Sequence, residues 1–200
     1  MCLHIFKDML KSFWGFLMRS IKDFLFFIML LLPFYLYSFN YEKTGYFYKK
    51  VGYIDKVIDG DTLKVKIDNK VEKVRLLYID TMETKFNRKM LKDEREFEAN
   101  SKELTYLGRW AYKYLKNLLP KSTKVILYIP NTKPKDNFKR YLAIVVRFYG
   151  GEVVNELMLV NGLARTYYLH TAPDSISEYY TTLEQKAREK KIGIWKFLEK

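Results

Sequence analysis

The sharpest pattern in the chain is the alternation Thr62-Leu63-Lys64-Val65-Lys66-Ile67, with Leu63, Val65 and Ile67 on one face and Lys64 and Lys66 on the other. Period two predicts a half-buried strand. It follows the apolar end Val57-Ile58 and the sharp turn Asp59-Gly60-Asp61, so strand, turn and strand succeed one another from Val51. After a second turn at Asp68-Asn69, the run Val74–Ile79 is apolar except for Arg75 and ends in Asp80-Thr81-Met82-Glu83. Lys124–Ile129 reads as a further strand. Leu142–Phe148 reads as another, whose unbroken apolar character predicts burial on both faces. The polar segment Pro130–Arg140 delivers Arg140 to the start of that last strand.

Helical spacing fills most of the remainder. Ala111, Leu115 and Leu118 mark a helix that stops before Pro120, and Leu104 with Leu107 extend it backwards until Gly108 interrupts. Glu152–Leu163 is a short helix closing near Gly162, and Ser175–Lys190 is a charged helix ahead of Gly193-Ile194-Trp195. The highly charged segment from Thr84 to Leu107 is expected to be a mobile loop that turns helical towards its end. Its acids Asp93, Glu94, Glu96 and Glu98 alternate with Lys and Arg, the pattern of a solvated helix face. Five strands with about three helices predict an α+β fold with a mainly β core, a small five-stranded OB-type barrel.

Ahead of this domain, Phe24–Phe39 is an apolar stretch interrupted by Pro33. As a helix it spans about 24 Å, short of a hydrocarbon layer of about 30 Å. With Lys7, Lys11, Arg19 and Lys22 before it, the stretch fits the apolar region of a signal peptide, though no Ala-x-Ala site follows. Initiation at Met18 would give a leader of ordinary proportions. The expected organisation is a signal peptide or membrane anchor over 1–40, an aromatic, lysine-rich connector over 41–50 and the globular domain over 51–198. Secretion or residence in the cell envelope is expected, with anchoring by residues 24–39 as the alternative.

The formal charge is +13, and only four Lys/Arg and two Asp/Glu fall in residues 1–40. The excess therefore belongs to the globular part, where it favours nucleic acid or an anionic surface. The single cysteine, Cys2, excludes a disulfide framework and a cysteine-based zinc site. With His4 and His170 the only histidines, histidine-centred nucleophilic machinery is poorly supported as well. Carboxylates and arginines are left to carry the chemistry.

Asp61, Asp80 and Glu83 are hard oxygen donors placed at strand ends, where antiparallel pairing can gather them, and Arg75 offers a planar fork for a phosphate. Asp-Gly is also an ordinary hairpin signal. Combined, however, D-G-D-T at 59–62, R-L-L-Y-I-D-T-M-E at 75–83 and D-N-F-K-R-Y-L-A at 136–143 closely resemble the staphylococcal nuclease (thermonuclease) family, in order, from about Val51 to Trp195.

The resemblance implies a calcium-dependent, sugar-nonspecific nuclease that hydrolyses DNA and RNA, prefers single strands and leaves 3′-phosphate ends; a monomer is expected. Carried onto this sequence, it assigns Asp61, Asp80 and the Thr81 carbonyl to calcium and Asp59 to the outer shell. Glu83 would orient or deprotonate the attacking water, and Arg75 and Arg140 would grip the phosphate. Tyr168 falls near an aromatic that contacts nucleotide, and His170 at the next such position. Two departures stand out: Met82 where the family usually has proline, and Lys139 where glycine often precedes the second arginine. The alternatives are a noncatalytic nucleic-acid-binding barrel and a membrane-surface protein using its basic face on anionic lipid.

Overall fold

Leu63, Val65 and Ile67 do face a common core, and in the computed structural model, which describes residues 40–168 and 172–198, they lie on strand β2 (Thr62–Ile67). Strand β1 (Phe47–Val57) precedes it and β3 (Lys70–Leu76) follows. The β2–β3 turn places both Asp68 and Asn69 at positive φ, 48° and 64°. Short polar side chains tolerate that conformation, and it matches the twist of a two-residue hairpin. Strands β5 (Lys124–Pro130) and β6 (Tyr141–Arg147) complete a closed barrel in the order β1-β2-β3-β6-β5.

Every neighbouring pair in the barrel is antiparallel except β3 with β6, where Arg75 stands opposite Leu142 and Val74 opposite Tyr141. On its other side Arg75 pairs with Thr62. Closure removes the free sheet edges, and Leu63, Val65, Val74, Leu127 and Val145 fill the interior with no exposed surface. The five-stranded OB-type barrel expected from the sequence is present.

Four particulars differ from expectation. Strand β1 begins at Phe47, inside the supposed connector, and Tyr41 is buried, its hydroxyl donating to Glu156 Oε1 at 2.5 Å and lying 3.0 Å from the Tyr180 hydroxyl. The apolar run 74–79 is broken by Tyr78 at φ 64°, so that Ile79–Asp80 forms a separate strand, β4, paired with β7 (Arg165–Thr166). The charged segment after Thr84 is helical towards its end, as expected, but already from Arg88 rather than only there. It forms two helices, α1 (Arg88–Phe97) and α2 (Ser101–Leu118), and α2 runs straight through Gly108.

Capping explains both helices. Asn87 Oδ1 accepts from the Met90 amide at 3.0 Å, while Asn100 and Glu103 form a reciprocal capping box. With α3 (Val154–Val160), α4 (Asp174–Glu189) and α5 (Trp195–Leu198), the described residues hold five helical segments rather than about three. Met82, Met90, Leu104, Leu107, Ala187, Ile194 and Trp195 form an apolar cluster that fastens α1 and α2 to the C-terminal helices. The expected leader or anchor lies outside the described residues, as does His170.

Candidate active site

The site starts with two backbone ties. Leu76 N–H donates to the Asp61 carbonyl at 2.8 Å, locking the β1–β2 turn to the end of β3. Gly60 brings that turn so close to Thr81 that an added Cβ would lie 2.5 Å from Thr81 Oγ1. A glycine is required there by space. The Thr81 amide donates to Asp61 Oδ2 at 3.2 Å, and the Asp61 amide donates to Asp59 Oδ1 at 3.0 Å.

Arg75 occupies the centre of the resulting acid group. Its Nη1 reaches Asp61 Oδ1 at 2.5 Å and its Nη2 reaches Asp80 Oδ1 at 2.8 Å, so a single planar fork joins the two carboxylates. Both acids are almost wholly buried, Asp61 at 4% and Asp80 at 2% exposure. Burial opposes ionisation of Asp61, but Arg75 and then Lys89 outweigh it and hold the carboxyl below its usual range. Asp59 shifts the other way. Burial, and then the neighbouring Asp61 charge, push it up to about 6.

Asp80 carries more than Arg75. Arg165, on β7, donates from Nε and Nη2 to Asp80 Oδ2 at 3.2 and 3.1 Å, and from Nη2 to Asp93 Oδ1 at 2.7 Å. Asp93 on α1 is therefore buried at 1% exposure, not part of a solvated face. Glu96 joins the same arginine at 3.2 Å, while α1 also contributes Lys89. The Lys89 ammonium lies 2.8 Å from the Thr81 carbonyl, 3.0 Å from Asp80 Oδ1 and 3.0 Å from Glu83 Oε1. Burial alone would lower Lys89, but Asp80, Glu83 and Asp61 outweigh it and raise it above the usual lysine value.

Arg140 enters from the loop before β6. Its Nε and Nη2 clasp Asp136 Oδ2 at 2.8 and 2.7 Å, and Nη1 reaches Thr62 Oγ1 at 3.4 Å. Lys139, at φ 61°, adopts the left-handed conformation that glycine takes more easily, so the position suits glycine and the lysine holds it at a cost. Met82, the other departure, is 2% exposed within the apolar cluster beneath α1 and α2.

A cleft of about 400 Å³ opens over these groups, lined by Arg75, Asp80, Glu83, Lys89, Arg140 and Tyr167 among others, with Phe138 at 79% exposure beside Arg140. Thus Arg75, Asp80, Glu83 and Arg140 share one cleft, as the sequence suggested. Asp61 and Asp59 support it from behind without lining it. Tyr168 stands to the side: its hydroxyl donates to the Ser177 carbonyl at 2.9 Å, and its ring centroid is 6.0 Å from that of Tyr78.

Sequence reasoning missed Lys89, Asp93 and Arg165. The signals available were Asn87 as a helix cap and the i,i+4 spacing of Lys89 and Asp93. Nothing in the local pattern marks Arg165.

A family model described as staphylococcal nuclease homologue matches residues 73–197, most of the chain and all the cleft-lining groups named above. The chain belongs to that family. Among its relatives, an uncharacterized protein of Methanocaldococcus jannaschii is 29% identical over 152 residues, covering 72% of this chain and 70% of the relative. The SPbeta prophage-derived endonuclease YokF of Bacillus subtilis is 34% identical over 142 residues, covering 71% of this chain but 43% of its own length. The thermonuclease of Staphylococcus intermedius is 29% identical over 142 residues, covering 71% of this chain and 74% of its own.

Members of this family imply a calcium ion, so the donor set must be weighed against one. Among the described residues no three carboxylates, imidazoles or thiolates converge as a ready metal cluster. Yet the Asp80 carboxylate and Thr81 carbonyl are hard oxygens that already face a cation, the Lys89 ammonium, with Asp61 directly behind. That chemistry fits a calcium-like ion.

Proposed function

We propose that this nuclease-family cleft hydrolyses phosphodiester bonds in DNA and RNA, prefers single strands and leaves 3′-phosphate ends. One observation carries the reading: Arg75, Asp80 and Glu83 from one segment and Arg140 from another far along the chain line a single cleft within a strongly basic chain. Calcium would be held by Asp80 and the Thr81 carbonyl with Asp61, Asp59 lying in the outer shell, and would supply positive charge beside the phosphate.

The protein groups divide the remaining work. Arg75 and Arg140 present planar donors to the phosphate oxygens and stabilise the charge that grows on them as water attacks phosphorus. Glu83 accepts the proton that the attacking water loses. The bond from phosphorus to the 5′ oxygen breaks, that oxygen acquires a proton from solvent, and the phosphate stays on the 3′ side. Recognition through phosphate rather than base edges makes the cleft tolerant of sequence. Tyr167 and Phe138 on the lining offer rings on which unpaired bases can stack, and Tyr168, to the side of the cleft, offers a third to a longer strand. The same reading includes export: residues 24–39 behind a basic segment support secretion or residence in the cell envelope, with membrane anchoring as the alternative.

The test uses the purified full chain on end-labelled single-stranded and duplex oligonucleotides, with calcium and with a chelator. The expected result is calcium-dependent cleavage, faster on the single strand, with a phosphatase-sensitive 3′ end on the upstream product. Tight binding without cleavage would replace this reading with a noncatalytic binding barrel.

A further inference from the structure

Lys89 stands apart from the other cations of the site because of what it touches. Arg75 bridges carboxylates side by side, and Arg165 secures Asp80 to α1 from the opposite oxygen. Lys89 instead places one ammonium on three acceptors, the Thr81 carbonyl, Asp80 Oδ1 and Glu83 Oε1, at 2.8, 3.0 and 3.0 Å, with Asp93 Oδ2 at 4.0 Å. Two of those three oxygens are the ones assigned above to a divalent ion. A compact, freely rotating ammonium suits such a position in a way that a planar guanidinium does not.

The backbone behind this lysine is fixed. It lies in the first turn of α1, which is capped by Asn87, anchored in the apolar cluster through the fully buried Met90 and tied to β7 through Asp93 and Glu96. The side chain itself is 29% exposed, so it can swing away from these oxygens into solvent while α1 stays in place. The ammonium and a divalent ion cannot share the Asp80 and Thr81 oxygens, since each needs direct contact with them and the two repel. Nor can Lys89 leave without releasing Glu83 from its ion pair.

We propose that Lys89 is a built-in competitor of the divalent ion: it occupies the Asp80–Thr81 oxygens in the unloaded protein, and its displacement by the ion frees the Glu83 carboxylate. Ion binding is thereby coupled to the release of the group that receives the proton. The inference rests on the reading of Asp80 and Thr81 as ion-holding residues.

Calorimetric titration of the full chain with calcium tests it, comparing wild type, Lys89→Met and Asp80→Asn. Methionine keeps the aliphatic stem and removes the charge. Lys89→Met is expected to bind calcium at least tenfold more tightly than wild type, and Asp80→Asn to lose binding. Equal or weaker affinity in Lys89→Met, with binding still lost in Asp80→Asn, would overturn the competition while leaving the ion site intact. If neither wild type nor Lys89→Met binds calcium, the competition and the ion site fall together. A second measurement needs no variant: acylation of Lys89 by an amine-reactive reagent, followed by mass spectrometry, should accelerate severalfold when calcium is added. Acylation unchanged by saturating calcium would contradict displacement.

Discussion

At the scale of single residues, Arg75 couples structure to chemistry. It lies at 16% side-chain exposure between two buried acids, and truncation strands the Asp61 charge, whereas Asp80 keeps its pairs to Lys89 and Arg165. Leaving a buried charge unpaired costs about 3–5 kcal/mol. Arg75→Ala is therefore expected to lose about that much stability in denaturant unfolding of the ion-free protein, as well as activity. Arg75→Lys is expected to keep more of the stability and still lose most of the activity, because one ammonium cannot span Asp61 and Asp80 as the fork does.

Asp59 makes the opposite prediction. Its folded-state value of about 6 lies above the ordinary 3.8, so the native protein holds the extra proton between those limits and loses stability as pH rises through them. Asp59→Asn keeps an oxygen for the Asp61 amide and removes the half-buried charge. Urea unfolding of the ion-free protein is expected to show a gain on the order of 1–3 kcal/mol at pH 8 and none near pH 3.5. A gain that does not depend on pH would contradict the assigned cause.

At the scale of elements, the insert formed by α1 and α2 decides where the strand-end groups sit. Gly108 is pressed against the chain that carries Glu83: an added Cβ would come within 2.3 Å of the Glu83 carbonyl and 2.5 Å of the Met82 carbonyl. Gly108→Ala should therefore push α2 away from that segment, costing about 1–3 kcal/mol in thermal unfolding and shifting Glu83 enough to lower turnover. A fully stable, fully active Gly108→Ala protein would show that this contact does not position the carboxylate.

The same insert marks where sequence reasoning ran short. Strands were legible because Leu63, Val65 and Ile67 alternate without interruption and Leu142 to Val146 are continuously apolar. In α1 only Met90 and Asp93 are buried, and one of those is an acid whose partner lies 72 residues further on. No local pattern could have revealed that pairing. The Asn100–Glu103 capping box was visible in the letters but was obscured by the charges around it.

Across the whole molecule, the barrel order places the ends of β1, β3, β4 and the start of β6 around one opening, and the C-terminal helices brace the insert that closes it. This accounts for acids at 59, 61, 80 and 83 and arginines at 75 and 140 meeting although the chain leaves the barrel for two helices between them. The parallel β3–β6 pairing is decisive, because it seats Tyr141 and Leu142, which directly follow Arg140, beside Val74 and Arg75. The motifs named these residues in advance, whereas the cations that hold the acids in place, Lys89 and Arg165, emerged only from the three-dimensional arrangement.

The most direct trial of phosphodiester hydrolysis in this cleft compares wild type with Glu83→Gln, both purified as the full chain, for release of acid-soluble nucleotides from denatured DNA in calcium. Loss of the proton-accepting carboxylate is expected to lower the rate by roughly 10²–10⁴-fold, with thermal unfolding little changed because Glu83 is partly exposed. Undiminished release by Glu83→Gln, or no release by wild type, would contradict the account.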